Sequence, residues 1–236
     1  MAQNLKAAMA MEKVYRKLQN KWQAKTAFGY HDKLKQFGFA DTVEYERAKD
    51  EYHLKNANFQ ILEITAPQFI PELQKAIAEG KETVFFVHPE KLMAWVGSDP
   101  FNEAYCKEND IPAFLVRYAG GTIVTGIEDV AIGLLTRRIT TRKHFAEILH
   151  EFIRQDIPKA ELVDNDILVD GYKVFGIGYK SFGDLHLATY QVTVKAYPEA
   201  IRNICLKEMK KEPKGLSDFG SFDKTKFLDK VRSWLR

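Results

Sequence analysis

Apolar residues recur with different periods before and after Asn58. The apolar positions of the first helical segment lie three and four residues apart, at Val14, Tyr15, Leu18 and Trp22. This spacing predicts a helix with a narrow apolar face. Asp41-Thr42 is a typical N-cap signal for a second, Glu- and Lys-rich helix from Val43 to Lys55. We therefore predict a helical hairpin over residues 1–57.

After Asn58, short apolar runs alternate with amphipathic stretches. Strands are predicted at 59–64, 83–87, 92–96, 114–117, 122–135 (two strands around Gly126), 167–169, 173–179 and 185–194. Helices are predicted at 66–79, 102–108, 141–155 (with Thr141 as its cap), 198–210 and 224–234. Consecutive strands are joined by tight turns, and helices are inserted only at intervals. The expected fold of residues 58–236 is therefore α+β, with a mixed, mainly antiparallel sheet covered by helices.

Composition places the chain among ordinary globular proteins and weakens the case for several partners. Of its 236 residues, 45% are hydrophobic and 28% are charged, and the net charge is +3. Such an even balance does not predict a nucleic-acid partner, whose binding needs a concentrated cationic face. Residues 1–20 carry several charges and no long apolar run, so we expect neither a signal peptide nor a membrane partner.

The two cysteines, Cys106 and Cys205, form neither a disulfide framework nor a metal-ligand spacing. Both are expected to be buried or half-buried apolar residues. A reducing, cytoplasmic location is the simplest expectation for such a chain.

Two segments carry candidate chemistry. The first, Arg117-Tyr118-Ala119-Gly120-Gly121-Thr122, places adjacent glycines between two predicted strands. Such a pair marks either a plain hairpin turn or a backbone that a ligand approaches closely. An arginine just upstream suits the binding of a carboxylate or a phosphate. No dinucleotide-binding or P-loop glycine pattern is present in the sequence.

The second segment is a predicted hairpin with an Asp170-Gly171 turn, which is a strong short-range signal. Lys173 follows the turn, and Gly176 and Gly178 lie on one face of the strand that it begins. A lysine beside small residues can reach a ligand phosphate or carbonyl as a compact charge. It can equally be a solvated lysine at the end of a hairpin.

Together these segments resemble the lipoate-protein ligase family, whose catalytic domain shares its fold with biotin-protein ligase and the octanoyl transferases. The resemblance runs from about Leu92 to Leu216. It depends on the order of four features: Arg117 to Thr122, the helix after Thr141, Asn165-Asp166-Ile167, and Gly171-Tyr172-Lys173-Val174-Phe175-Gly176. The resemblance implies a two-step ligation. The carboxylate of lipoate or octanoate attacks the α-phosphate of ATP, and a lysine of a lipoyl acceptor domain then displaces AMP from the acyl-adenylate.

The resemblance also implies roles for particular residues. Lys173 would be the catalytic cation that holds the acyl carbonyl and phosphate oxygens. Asn165 and Asp166 would handle phosphate, with Asp166 binding Mg²⁺. The remaining residues expected to bind substrate or adenylate are Arg117, Tyr118, Gly120, Gly121, Thr122, Gly176 and His186.

Two alternatives stay open at this point. One is an octanoyl or lipoyl transferase that uses no ATP, which needs a nucleophilic cysteine near the acyl pocket. Both cysteines lie in predicted helices, and His186 occupies the region where some transferases carry theirs. The other is a non-catalytic, ligase-like scaffold that binds a lipoyl domain or a small acid. Tyr118 and Thr122, which replace the family's usual Arg and Gly, favour the scaffold.

Overall fold

The computed structural model describes residues 2–19, 34–115, 121–206 and 212–236. Its contacts divide the chain into two units, Met1–Ala57 and Asn58–Arg236, at the residue where the composition of the sequence shifts. Each unit is described by itself. Their assignment as a helical extension and a catalytic domain stays a prediction.

The first unit contains two helices, α1 (Ala2–Gln19) and α2 (Thr42–Asn56). The Asp41 carboxylate caps α2 by accepting a hydrogen bond from the Glu44 backbone N–H at 2.8 Å, which confirms the predicted cap. The ring of Tyr45 is fully buried, and its hydroxyl donates to Glu12 of α1 at 3.0 Å. Lys49 pairs with the same Glu12 carboxylate at 2.7 Å. These contacts join α2 to α1.

The predicted helical hairpin is not established by these contacts. Residues 20–33, which would connect the two helices, lie outside the described part of the chain. The side chains of the predicted apolar stripe, from Val14 to Trp22, lie outside it as well. The hairpin therefore stays a prediction.

The second unit contains ten strands and five α-helices within its described residues. The strands are β1 (Gln60–Thr65), β2 (Thr83–His88), β3 (Met93–Val96), β4 (Ala113–Leu115), β5 (Ile123–Thr125), β6 (Val130–Thr136), β7 (Glu161–Val163), β8 (Asp166–Val169), β9 (Tyr172–Phe182) and β10 (Leu185–Val192). The helices are α3 (Ala66–Ala78), α4 (Glu103–Glu108), α5 (Thr141–Asp156), α6 (Pro198–Ile204) and α7 (Lys224–Leu235), with a 3₁₀ turn at Leu216–Asp218.

Seven strands form one sheet in the order β1-β2-β6-β10-β9-β8-β7. Within it β1 and β2 are parallel, and every other neighbouring pair is antiparallel. A second sheet of three strands has the order β4-β3-β5. The mixed, mostly antiparallel sheet of an α+β fold is thus confirmed.

Helices cover both faces of the large sheet because successive strand residues point to opposite sides. On β2, Phe85 meets Phe69 of α3 with ring centroids 5.4 Å apart, while the ring of Phe86 lies under Arg232 of α7. On the α3 side, Trp95 of the small sheet also packs edge-on against Phe69, at 5.5 Å. The small sheet is therefore held against the large one through a shared aromatic cluster.

Two sequence predictions are corrected, and one strand was missed. Strand β7 was not predicted, because its short Glu-Leu-Val run carries no clear alternation. Helix α6 ends at Ile204 rather than Lys210; Cys205 is already extended and bridges to Phe101. Thr141 is the first residue of α5 rather than its cap, which is Thr140 and makes no side-chain capping bond.

Among the described residues, no helix combines the length and the apolarity that crossing a bilayer requires.

Candidate active site

The β8–β9 hairpin contains a β-bulge that positions Lys173. Asp170 and Gly171 both have positive φ, 50° and 75°, as the mirror-image turn of a tight hairpin requires. Ile167 then pairs with Phe175 but Leu168 pairs with Lys173, so Val174 is an extra residue in β9. A bulge of this kind re-aims the side chains on one side of it. It moves Lys173 from the face of Phe175 to the face of Gly176.

The side chain of Lys173 crosses the surface that Gly176 leaves open. A Cβ built on Gly176 would lie 2.9 Å from the Lys173 Cε and 3.1 Å from its Nζ, and both distances are closer than normal packing. The same position would lie 3.8 Å from Oδ1 of Asp166. The ammonium Nζ of Lys173 is 2.8 Å from this carboxylate oxygen. The structure therefore brings Lys173, Gly176 and Asp166 together.

A cavity of about 420 Å³ adjoins Lys173, within the size range of small-molecule sites. We call it the Lys173 cavity. The large sheet contributes Lys173, Gly176 and Gln191 to it, and the segment leading into β5 contributes Gly121 and Thr122. Lys214 also lines it, with its Nζ 4.5 Å from the centroid of the Tyr172 ring.

A second, narrower space lies next to the Lys173 cavity, between the two sheets. Ile123 and Gln191 line both spaces. The narrower one, the apolar slot, is otherwise lined mainly by apolar side chains, among them Phe69, Val87, Trp95 and Ile132. Its volume of about 30 Å³ holds only one or two water molecules, so an acyl chain enters it only when lining side chains move.

The glycine-rich segment is described from Gly121 onward. Arg117, Tyr118 and Gly120, three of the expected binding residues, lie outside the described residues. Gly121 and Thr122 line the Lys173 cavity. A Cβ on Gly121 would lie 2.9 Å from a carboxylate oxygen of Asp99, so a larger residue here would displace the end of the Asp99 side chain.

Two other expected residues, Asn165 and His186, are not among the described residues that line the cavity. Asn165 lies in the exposed turn before β8, next to Asp166 in the chain. His186 lies five residues along β10 from Gln191, which is about 17 Å at strand spacing. It shares the sheet face of Tyr190, which packs on α5, whereas Gln191 faces the cavity. The His186 Nδ1 is within 3.0 Å of Ser181 Oγ and 3.1 Å of the Tyr179 hydroxyl.

Cys205 lines the Lys173 cavity, which the sequence did not predict. It comes from the end of α6, and no local pattern relates it to Lys173. Burial, with a smaller contribution from the charge of Asp99, raises the pKa of the Cys205 thiol to about 11. The group is therefore a neutral thiol near pH 7, and its Sγ lies 3.5 Å from the Thr122 carbonyl oxygen.

The donor set fits a metal ion that is shared with a substrate rather than one held by the protein alone. Among the described residues, no group of three His, Cys, Asp or Glu side chains is placed to hold a metal. Asp166 offers a carboxylate that is 39% exposed and 2.8 Å from the Nζ of Lys173, a residue that lines the cavity. Mg²⁺ commonly uses one or two carboxylates and completes its octahedron with phosphate oxygens and water.

The fold has relatives among solved structures. P. falciparum LipL1 in complex with lipoate superposes with a TM-score of 0.60 at 13% identity, over 74% of this chain and 61% of that one. Lipoate-protein ligase A bound with ATP gives 0.56 at 16% identity, over 76% and 82%. The chain has the lipoate-protein ligase fold.

A third structure of this fold is the bipartite lipoate protein ligase of Thermoplasma acidophilum, described with its E2 lipoyl domain. It matches with a TM-score of 0.55 at 14% identity, over 76% of this chain and 81% of that one. No family model matches the sequence, and no curated protein matches it. The identities are low enough that these similarities show the fold alone.

Proposed function

We propose that the chain is an acyl ligase. It would activate lipoate or a medium-chain fatty acid with ATP as an acyl-adenylate and transfer the acyl group to a lysine of a lipoyl acceptor domain. The observation that carries the proposal is the placement of Lys173, which a bulge turns toward a ligand-sized cavity that adjoins an apolar slot. The lipoate-ligase fold agrees with it.

The Lys173–Asp166 ion pair leaves the ammonium group available to a substrate. The two side chains are 58% and 39% exposed, and pairs this exposed contribute about 0–1 kcal/mol. Exchanging Asp166 for a substrate oxygen therefore costs little. A cation already positioned where negative charge develops stabilises that charge without reorganisation in the transition state.

The residues of the cavity also suit a nucleotide. Two lysines, Lys173 and Lys214, line it, and ammonium groups are appropriate partners for phosphate oxygens. Gly121 keeps the backbone near Asp99 free of a side chain. Asp166 would hold Mg²⁺, which neutralises phosphate charge when it is bound.

The reaction balances in two displacements. In the first, a carboxylate oxygen of the acid attacks the α-phosphorus of ATP and pyrophosphate leaves. In the second, the acceptor lysine amine attacks the acyl carbonyl, AMP leaves, and the amine loses a proton as the amide forms. Lys173 would interact with the oxygens that carry negative charge in both steps, and its neighbour Gly176 leaves it the room to do so.

The acceptor and the compartment are further parts of the proposal. The T. acidophilum ligase of the same fold has an E2 lipoyl domain as its partner, which supports an acceptor of that kind. Cys106 and Cys205 are free cysteines, as is usual for proteins of the cytoplasm.

A transferase without ATP is the second candidate, because Cys205 shares the cavity with Lys173. An acyl-thioester on Cys205 would need the thiolate as nucleophile. A pKa of about 11 leaves very little thiolate at neutral pH, which favours the ligase.

The test is acyl-adenylate formation by the purified full chain. With ATP, Mg²⁺ and lipoate or octanoate, mass spectrometry should detect the acyl-adenylate, and Lys173→Ala should reduce it by about 100-fold or more while the melting temperature stays within a few degrees. Lys180→Ala, seven residues further along β9, is the matched control and should retain activity.

The outcomes separate the candidates. If no adenylate forms and acyl transfer between carriers is lost in Cys205→Ser, the chain is a transferase. If neither chemistry is seen but a lipoyl domain binds, the scaffold is correct. Adenylate formation that survives in Lys173→Ala would contradict the role given to Lys173.

A further inference from the structure

Two buried hydrogen-bond donors that line the apolar slot lack a partner among the described residues. They are the indole Nε1 of Trp95 and the amide Nε2 of Gln191. Each side chain is only 6% exposed. Trp95 comes from the small sheet and Gln191 from the large sheet, so the slot has one of these two side chains on each of its sides.

Unpaired buried donors are rare, because a buried polar group without a partner retains the cost of its desolvation. The indole N–H is a donor only, so a different rotation of its own ring cannot turn it into an acceptor. Trp95 is also held in place by Phe69 and Phe114, with ring centroids at 5.5 and 5.1 Å. A partner for these donors can therefore come from a molecule in the slot, either water or a ligand for which the lining side chains move apart.

The position of Gln191 indicates where the acceptor lies. Gln191 lines both the slot and the Lys173 cavity, so it stands at their junction. An acid whose carboxylate is near Lys173 must pass its chain by Gln191 before the chain reaches Trp95. The donors thus face the chain of the acid rather than its carboxylate.

We propose that the slot selects a medium-chain carboxylic acid that carries an oxygen or sulfur hydrogen-bond acceptor on its chain, and that Trp95 and Gln191 donate to this acceptor. This inference rests on the proposed function for the position of the carboxylate. An unsubstituted alkyl chain leaves both donors unpaired, and a sulfur atom is a weak acceptor. A carbonyl oxygen satisfies them best. The order of affinity is therefore oxo acid, then lipoate, then octanoate.

The binding experiment uses acids of equal chain length. Isothermal titration calorimetry of the full chain with 5-, 6- and 7-oxooctanoate, lipoate and octanoate gives five dissociation constants. At least one oxo acid should bind about 10- to 100-fold more tightly than octanoate, which is the effect of pairing one or two buried donors. Equal affinities for all five acids, or no binding of any of them, would overturn the inference.

Variants of residues that line the slot separate the effect of hydrogen-bond donation from the effect of the slot's shape. Trp95→Phe and Gln191→Leu each remove one donor, and each should reduce the preference for the oxo acid by about tenfold. Ile123→Val is the matched control, because Ile123 also lines both spaces but offers no donor. It should change the affinity for every acid by a similar factor and leave the ratios unchanged. If Trp95→Phe does not fold, Gln191→Leu alone still tests the inference.

A spectroscopic readout excludes a merely structural role for Trp95. The ¹⁵N–¹H resonance of its indole, assigned by its loss in Trp95→Phe, should move downfield when the oxo acid binds and move much less with octanoate. If a water molecule alone pairs with the donors, the resonance stays in place with every acid, and the inference fails.

The inference and the proposed function fail in different ways. Selective binding of an oxo acid without acyl-adenylate formation would support the slot inference and contradict the proposed ligase activity. Adenylate formation with no preference among the acids would support the proposed ligase activity and contradict the slot inference.

Discussion

The side chain of Lys173 occupies the space above Gly176, where a Cβ would come within 2.9 Å of the lysine Cε. Two residues on one strand can meet in this way because the bulge at Val174 puts both on the same face. Gly176 thus determines where the Lys173 ammonium group lies. A substitution there acts on the proposed chemistry without touching substrate.

Gly176→Ala should displace Lys173 and lower the rate of acyl-adenylate formation by about 100-fold, since a shift of about 1 Å is enough for such a loss. Stability should change by about 0.5 kcal/mol or less, because the displaced atoms are the end of a half-exposed, flexible side chain. Single-turnover kinetics and urea denaturation measure the two quantities.

The double variant Gly176→Ala/Lys173→Ala provides the control for that prediction. If Gly176 acts only through Lys173, the double variant is no slower than Lys173→Ala alone. Additive losses would mean that the glycine has a separate role.

Asp166→Asn should raise the Mg²⁺ concentration needed for half-maximal adenylate formation by about tenfold, because the amide is a poorer magnesium ligand than the carboxylate. The matched control is Asp164→Asn, two residues earlier in the exposed turn. Asp164 has a φ of 56°, a conformation that asparagine also adopts readily, so this variant should retain the wild-type Mg²⁺ dependence. An unchanged Mg²⁺ requirement in Asp166→Asn would remove Asp166 from the metal site.

Cys205 should react slowly with iodoacetamide in the folded protein. Its pKa of about 11 lies above that of an ordinary thiol, so its alkylation rate should keep rising about tenfold per pH unit up to roughly pH 11. Peptide mapping by mass spectrometry follows Cys205 separately from Cys106. In urea the alkylation rate of Cys205 should level off near pH 8.5 to 9. A plateau at that pH in the folded protein would make Cys205 a candidate nucleophile again.

Gly215→Ala should destabilise the second unit by about 2 kcal/mol, since its Cβ would overlap the Val194 carbonyl group, and backbone cannot move aside as a side chain can. This segment is tied to the end of β10 by hydrogen bonds from the Leu216 N–H to the Thr193 carbonyl and from the Ser217 N–H to the Val194 carbonyl, at 2.9 and 3.0 Å. The urea midpoint measures the loss. Ser217→Ala, at an exposed position nearby, should leave the midpoint unchanged, and an unaltered midpoint in Gly215→Ala would contradict the steric argument.

Most elements of the second unit follow from local physics and were predicted from the sequence. Helix α3, predicted over 66–79, has Pro67 in its first turn, and Gly80, with a φ of 64°, lies just past its end. The Asp170-Gly171 turn likewise determines its hairpin, because few residue pairs adopt two positive φ values in succession. Such signals lie within a few residues of the structure that they specify.

The composition of the site was decided by tertiary structure. The bulge that turns Lys173 toward Gly176 depends on the pairing of β9 with β8, and sequence spacing alone does not reveal it. Cys205 reaches the cavity from the end of α6, whereas His186, closer to Lys173 in sequence, lies on the other face of the sheet. Neither placement has a local cause.

The sequence by itself thus determined the α+β class, the hairpin that carries Lys173, and the glycine beside it, because periodicity and turn chemistry are short-range properties. Only the packing of the small sheet on the large one brought the indole of Trp95 and the amide of Gln191 to one slot. Those two residues are 96 positions apart in the chain. Their meeting depends on the order of strands, which the hydrophobic pattern does not encode.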